Sequence, residues 1–481
     1  MNESDRNTRQ RARIWLRQHS LCRACLVLTL TLTSCTVGPN YKRPKVEMPG
    51  DYRAATVSQD QAPLVDTKWW DVFKDPQLQA LIRLALDQNK DLGVAVARVD
   101  AARAQLGIVS AGRYPQIGAA ASATNTLGSE TGARPVPAGE DRTAHLYRVG
   151  FTFAWEIDLW GKYRRATEAA RAELLATEEV RQAVAISLVS SVAQTYLQLR
   201  ELDLELQITR STIATRQETA RIVGVLYRNG LTNELDLRQA EGAVAAAAAA
   251  LPDLERAIAQ TENALSILVG QYPGPIARGF ELKDFTVPPD VPAGLPSSLI
   301  EQRPDVRSAE QILIASNAQI GVAKAAYFPA ISLTGPVGTE STQLSGLFGS
   351  GSTFYQFPLK IAQPLFTAGA IKSSVKAAEA LRQQSLIQYE QVIQQSFREV
   401  EDALVAHRKA RESLVQQEAY VAAFQRASQV AESRFRSGLS NFLPVLDSQR
   451  ELYSAQLGEA RIRLAQVVAV TQLYKALGGG F

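Results

Sequence analysis

The chain repeats itself, and this duplication restricts its fold more than any other feature. Ala104-Gln105-Leu106-Gly107 and Tyr114-Pro115-Gln116-Ile117 return 214 residues later as Ala318-Gln319-Ile320-Gly321 and Phe328-Pro329-Ala330-Ile331. Asp91-Leu92 and Asp305-Val306 keep that offset. Tyr227-Arg228-Asn229-Gly230-Leu231-Thr232-Asn233 returns 208 residues later as Phe435-Arg436-Ser437-Gly438-Leu439-Ser440-Asn441, and Val269-Gly270 as Leu477-Gly478. The offset changes once, between Pro115 and Gly161, in a Gly/Pro/Thr-rich stretch of the kind that loops occupy. Whatever unit the first half builds, the second half builds again with a shorter insert.

Each unit contains long helices. Residues 161–251 and 365–443 contain no proline. Ala185, Val192, Leu199, Leu206, Ile213, Ala220 and Tyr227 are spaced by sevens, with Leu188, Thr195 and Leu202 on an intermediate track. A sustained seven-residue repeat makes helices supercoil on their neighbours. A helix from Lys162 to Tyr227 would span about 100 Å at ~1.5 Å per residue. The run Ala243–Ala250, broken only by Val244, combines helix propensity with small side chains that allow close helix approach. Gly230 and Gly438 stand where the chain must reverse between two helices.

Each unit also contains strands of membrane type. From Tyr147 to Leu159 one face reads Tyr147, Val149, Phe151, Phe153, Trp155, Ile157, Leu159. The other reads Arg148, Gly150, Thr152, Ala154, Glu156, Asp158. The second unit sets Tyr355, Phe357, Leu359, Ile361 and Leu365 against Gln356, Lys360 and Ala362. Weaker alternation follows Tyr114 (Ile117, Ala119, Ala121) and Phe328 (Ile331, Leu333). A tilted transmembrane strand needs about 9–11 residues. Four strands cannot close a barrel, because the smallest single-chain membrane barrels have about 8. An open edge in lipid leaves backbone groups unpaired. Membrane strands in this number therefore require other copies of the chain.

The first 34 residues have the order of a secretory leader. Basic residues run to Arg23, then Ala24–Leu32 is apolar but shorter than the roughly 20 residues of a spanning helix. Leu32-Thr33-Ser34-Cys35 follows and resembles the lipobox of bacterial lipoproteins, which implies cleavage before Cys35 and acylation of its thiol. Thr36 leaves sorting to the outer membrane open. Cys22 and Cys25 leave with the leader, so no disulfide forms within the mature chain and packing must supply its stability.

The leader also explains the formal charge of +4. Six of the 52 basic and two of the 48 acidic residues lie in it, leaving 46 of each sign. A balanced mature chain gives no electrostatic case for nucleic acid. Nor does it read as an enzyme. His145 and His407 are the histidines beyond the leader, without zinc-ligand spacing. There is no Walker loop and no Gly-x-Ser-x-Gly elbow, and no cofactor is expected.

The order of lipobox, duplicated strand-strand and helix-helix units, and the Tyr-Arg-Asn-Gly-Leu-Thr turn resembles the TolC-like outer-membrane efflux family. Cys35-Thr-Val-Gly-Pro-Asn-Tyr-Lys-Arg-Pro44 and Trp69-Trp-Asp-Val-Phe-Lys-Asp-Pro-Gln-Leu78 resemble its lipidated, NodT-type branch. The resemblance implies a homotrimer with a mixed α and β fold. In it a twelve-stranded outer-membrane β-barrel continues into a periplasmic α-helical coiled-coil tunnel. It implies a passive duct served by a periplasmic adaptor (membrane fusion) protein and an inner-membrane pump, commonly of the resistance-nodulation-division type. A type I protein secretion duct is the alternative, and a periplasmic scaffold lipoprotein or a diffusion porin fits less well. The organisation expected is a signal peptide (1–34), a lipidated segment with an equatorial helix (35–90), repeats at 91–275 and 305–481, and a linker (276–304).

The resemblance also assigns residues. Tyr227, Arg228, Gly230, Leu231 and Thr232, with Phe435, Arg436, Gly438, Leu439 and Ser440, are expected to meet the adaptor. Asp447 is expected as an acid ringing the closed aperture, and Arg450 as its partner in an intersubunit latch. Pro444 stands where some relatives have a second acid. Asp236 and Arg238 are expected to take the equivalent place in the first repeat.

Overall fold

A computed structural model describes residues 36–49, 52–53, 73–133, 135–137, 139–285 and 299–479. The leader, Cys35 and Trp69–Val72 lie outside the described residues. In chain order the elements are α1 (Pro76–Gln88), α2 (Lys90–Ala111), β1 (Gln116–Leu127), β2 (Thr143–Glu156), α3 (Lys162–Arg228), α4 (Glu234–Ala248) and α5 (Leu251–Leu268). Then come α6 (Leu299–Gln302), α7 (Pro304–Ala325), β3 (Ala330–Ser341), β4 (Thr353–Tyr355), β5 (Leu359–Ala362), α8 (Ala370–Arg436) and α9 (Leu443–Ala476). The two proline-free stretches each give one helix of 67 residues, α3 and α8. Pro252 sits in the first turn of α5, where its missing N–H costs little, so the alanine run ends α4 and a new helix begins.

Two compact units form, and they cut across the repeats. One comprises residues 1–44, 101–175 and 311–387, and the other comprises 45–100, 176–310 and 388–481.

The first unit is built on the sheet. Its order is β1-β2-β3-β4, with β5 also on β3, all antiparallel. The strand expected around Tyr355–Leu365 is therefore interrupted at 356–358. Its register does not slip: β4 on β3 and β5 on β3 continue one ladder, through Gln356 N–H donating to Pro336 O and Thr334 N–H to Pro358 O. Pro336 and Pro358 each remove a ladder donor, which explains the gap. Offsets of 214 and 208 turn the β1–β2 pair Gln116–Ala154 into the β3–β5 pair Ala330–Ala362. A side-chain contact repeats as well. Trp155 Nε1 donates to Arg113 O at 3.1 Å, and Gln363 Nε2 to Tyr327 O at 3.1 Å.

The expected alternation sorts onto two faces. Ile117, Val149, Phe151, Phe153, Val337, Leu333, Leu359 and Ile361 share one. The opposite face carries Thr152, Ser122 and an ion pair, Arg148 to Glu340 at 2.7 Å, capped by Phe354 with its ring centroid 4.8 Å from the guanidinium. An ion pair facing lipid would be expensive, so this is the water-facing side.

The second unit is helical. Its main core joins α1, α3, α5 and α9 through Leu78, Ile82, Val192, Tyr196, Leu265 and Val470. Phe285, from the expected linker, also packs there. Burying each such aliphatic side chain contributes about 1.5–3 kcal/mol. Asp75 caps α1 by accepting from Gln77 N–H and Leu78 N–H. Among the described residues no helix is long and apolar enough to cross a membrane.

Candidate functional site

The two glycines end their helices in the same way. Gly230 has φ +72° and Gly438 φ +69°, the left-handed region open to glycine. Gly230 N–H donates to Tyr227 O and Leu231 N–H to Leu226 O, each at 2.9 Å. In the second repeat Gly438 N–H donates to Phe435 O and Leu439 N–H to Arg434 O, at 2.9 and 2.8 Å. This pair of bonds is the Schellman motif, and it satisfies carbonyls that the helix end leaves free.

The turns pack together. Val223 of α3, Ala240 of α4, Phe435 of α8, and Phe442 and Val445 beside and within α9 form one cluster, with the two phenyl rings 5.3 Å apart. Beyond the cluster Leu231 is 72% exposed and Leu439 68%. Leu235 and Leu443, equivalent at the same offset, are also exposed. Each turn thus presents two leucines to its surroundings. Tyr227 is exposed whereas its counterpart Phe435 is buried. Arg228 is exposed, and Arg436 pairs with Glu432 on its own helix.

The acids expected at the aperture follow at once. Asn233 caps α4 by accepting from Asp236 N–H at 2.9 Å, and Asp236 accepts from the Thr232 hydroxyl. The second repeat has Pro444 in place of Asp236, and Ser440, the counterpart of Thr232, has a buried hydroxyl without a partner. Arg238 pairs with Glu234 and Glu241 of its own helix. Asp447 and Arg450 lie 3.4 Å apart on one face of α9, both about half exposed or more, and Arg450 also reaches Glu451 at 3.4 Å. The repeat register sharpens one expectation. Asp447 and Arg450 correspond to Gln239 and Gly242, while Asp236 and Arg238 correspond to Pro444 and Leu446. The charged pair behind the second turn therefore has no duplicate behind the first.

Behind both turns runs a polar seam between α3 and α9 that the sequence reading missed. Gln449 Nε2 donates to Thr219 Oγ1 at 3.2 Å, and the Thr209 and Tyr453 hydroxyls are 3.0 Å apart. Arg216 lies over the Tyr453 ring at 5.5 Å and donates to Ala243 O at 2.9 Å. Burial pulls its guanidinium below the ordinary value. Glu201 and Glu205, both nearly fully buried, are one turn apart, and Arg461 donates to Glu205 at 2.9 Å. Burial, with the Glu205 charge beside it, pushes the Glu201 carboxyl up to about 7. The signal was present: the intermediate track Thr195, Leu202 continues by sevens through Thr209 and Arg216. Hydrogen bonds between buried polar residues on a packing track help specify one packing of the two helices. Among the described residues no group of acids, histidines and cysteines could hold a metal ion.

Comparison with known proteins agrees with this architecture. The sequence model of the family described as outer membrane efflux protein matches twice, at residues 81–271 and 295–479. The chain is 36% identical over 462 residues to the cation efflux system protein CusC of Escherichia coli O6:H1, covering 94% of this chain and 97% of that protein. It is 37% identical over 458 residues to the solvent efflux pump outer membrane protein SrpC of Pseudomonas putida, covering 94% and 97%. The fold matches the crystal structure of the open state of the Neisseria gonorrhoeae MtrE outer membrane channel. The TM-score is 0.84 at 32% identity, over 93% of this chain and 98% of that one.

Proposed function

The chain belongs to the outer membrane efflux protein family and is the outer-membrane duct of an efflux system, and we propose that it works as a lipid-anchored homotrimer gated at its two helical turns. The observation that carries the trimer is the sheet. Its outer strands, β1 on one side and β4–β5 on the other, each have an edge unpaired among the described residues. Unpaired backbone in lipid costs several kcal/mol per group, so a few strands persist in a membrane only inside a closed ring. Three copies close a ring of twelve strands when the broken β4–β5 counts once. Outer-membrane fractionation with unboiled gel migration tests this; a soluble monomer would remove the proposal.

The exposed leucines at 231, 235, 439 and 443 support adaptor contact at the turns, because an apolar surface paired in duplicate suits helical hairpins from a partner. The inner-membrane partner is a pump, of the resistance-nodulation-division type in this reading. CusC is named for cations and SrpC for solvents, at nearly equal identity to this chain. Cargo in this reading is chosen by the pump rather than by the duct. The functional repeats are 91–275 and 305–481, after a leader of 34 residues.

Opening starts from the helix pair α3–α9. Asp447 and Arg450 stand on the exposed face of α9, available to a neighbouring subunit as well as to each other. Adaptor contact moves α9 away from its neighbours and breaks these polar links. Asp447→Ala combined with Arg450→Ala should raise single-channel conductance severalfold in planar bilayers. Unchanged conductance would count against a latch at these positions.

Lipidation at Cys35 is supported by the next residue. Thr36 lies against Gly161, whose absent side chain would meet it at 2.8 Å, and Val37 N–H donates to Trp160 O at 3.0 Å. Arg165 Nη2 donates to Asn40 Oδ1 at 2.7 Å. A segment held this way at the foot of β2 suits an acyl chain entering the membrane beside the barrel. Cys35→Ala, where exported, should lower the amount of assembled trimer severalfold while each assembled channel conducts as the wild type does. Normal trimer levels would show that the barrel needs no lipid.

A further inference from the structure

The loops β1–β2 and β3–β4 stand at the same place in the two repeats, at the end of the sheet away from the helices, yet their chemistry differs. The β1–β2 loop, residues 128–142, contains Glu130, Arg134, Glu140, Asp141 and Arg142, and Arg142 pairs with Glu130 at 3.3 Å. Side chains of this kind keep a loop in water. The β3–β4 loop has none of them: from Ser341 to Leu359 no side chain is charged. At its centre stands Leu344-Ser345-Gly346-Leu347-Phe348. Leu347 is 4% exposed, whereas Leu344 is 65% exposed and Phe348 79%.

The apolar segment is held in one shape and on one side of the sheet. Gly346 N–H donates to Gln343 O at 3.0 Å, Leu347 N–H to Leu344 O at 3.3 Å and Gly349 N–H to Gly346 O at 3.0 Å. Gln343 N–H donates to Ser341 Oγ at 3.1 Å, which ties the loop to the last residue of β3. A side chain added at Gly346 would meet that same Oγ at 2.8 Å. Strand alternation sets Ser341 with Thr339 and Val337 on the face of Phe151, opposite Glu340. The loop therefore folds back over the apolar face, away from the side where Arg148 meets Glu340. At this level β3 itself offers that face only the hydroxyls of Thr339 and Ser341, and the Thr339 oxygen is already shut off from solvent. Leu344 and Phe348 thus continue the apolar face beyond the point where the strand ceases to supply it.

We propose that Leu344 and Phe348 insert among the acyl chains of the outer leaflet, so that the β3–β4 loop is a membrane contact while the β1–β2 loop stays in water. The proposal rests on the reading of the Phe151 face as the lipid face, and adds a loop to it. Continuity with that face identifies the occupant. Leucine and phenylalanine left in water are costly, and acyl chains at the rim of the same face remove that cost. A contact between edges of the sheet would not reach the root of the loop. β3 is an inner strand, with β2 on one side and β4 and β5 on the other. Leu347, buried, fixes the segment from beneath, so its two neighbours are presented without loss of loop order.

Fluorescence quenching tests this in the full-length protein reconstituted in vesicles of phosphatidylcholine and phosphatidylglycerol. Bimane is attached to Phe348→Cys, to Thr131→Cys in the β1–β2 loop and to Phe151→Cys on the sheet. Wild-type protein, whose Cys35 is the one cysteine beyond the leader, supplies the background. Lipid with a nitroxide near the headgroup end of its acyl chain should quench the Phe348→Cys probe roughly threefold more than the Thr131→Cys probe. Aqueous iodide should give the reverse order. Leu344→Cys, a second exposed position, should behave as Phe348→Cys does. A Phe348→Cys probe that iodide quenches as strongly as the Thr131→Cys probe puts the loop in water and overturns the proposal. One that neither reagent reaches is covered by protein and overturns it as well. A Phe151→Cys probe untouched by nitroxide lipid would overturn the reading of the lipid face, and the proposal with it.

Discussion

Replacing Asp75 by alanine should destabilise the protein by about 3–5 kcal/mol, the largest effect expected of any single polar substitution here. Asp75 is fully buried and its carboxylate has four donors. Oδ1 accepts from Gln77 N–H at 2.8 Å and from Leu78 N–H at 3.3 Å. Oδ2 accepts from the Tyr196 hydroxyl and from Phe280 N–H, both at 3.0 Å. The Tyr196 oxygen in turn accepts from Gly279 N–H at 2.8 Å. Burial raises the tyrosine's pKa, so it stays protonated and able to donate. Alanine would remove a helix cap, worth about 1 kcal/mol, and strand the buried Tyr196 hydroxyl and the partly buried Phe280 N–H at roughly 1–2 kcal/mol each. Asparagine retains one acceptor and should cost less. Gly279→Ala should act in the same direction, since its Cβ would lie 2.2 Å from the carboxylate. The measurement is the midpoint of thermal unfolding, with protein yield beside it. An Asp75→Ala protein as heat-resistant as the wild type would show that the carboxylate holds nothing together.

The second large effect depends on pH. Glu201 is pushed up from 4.5 to about 7 by burial first, then by the charge and hydrogen bond of Glu205, against which Arg461 acts. A carboxyl raised on folding binds its proton more tightly in the folded state. Below pH 4.5 both states are protonated and no cost arises. As pH rises from 4.5 towards 7 the unfolded chain ionises first, and folding stability falls by about 3 kcal/mol before levelling off. Glu201→Gln should abolish that slope and stabilise the protein at pH 8 by a similar amount, because the amide can still donate to Glu205. Thermal unfolding measured from pH 5 to 8 gives the comparison. Equal slopes for the variant and the wild type would exclude Glu201 as their source.

Much of the fold was legible because its signals are local. Seven-residue spacing, alternation and Gly-Leu turns are statements about neighbours along the chain, and α3, β2 and both Schellman turns follow from them. What escaped was set by groups distant in sequence. Pro358 looks harmless inside an apolar alternation, and only with Pro336 two positions along the same ladder does it break the fourth strand. Asp75 lies in a block recognisable by resemblance, yet its partners Tyr196 and Phe280 stand 121 and 205 residues away. Asp236 and Arg238 resemble a second aperture pair, although the 208-residue offset, itself legible in the sequence, matches them to Pro444 and Leu446.

By itself, then, the sequence determined that one strand-strand and helix-helix unit is built twice and reversed at two glycines. Those features depend on periodicity and backbone freedom, which every residue carries locally. Tertiary structure alone decided which copies of the repeated surfaces are covered. Ala169 and Ala377 are the same residue in the same local context, yet one is buried and the other exposed. The physical reason is that burial belongs to pairs of surfaces: Ala315 and Ala318 cover Ala169, and no described residue does the same for Ala377.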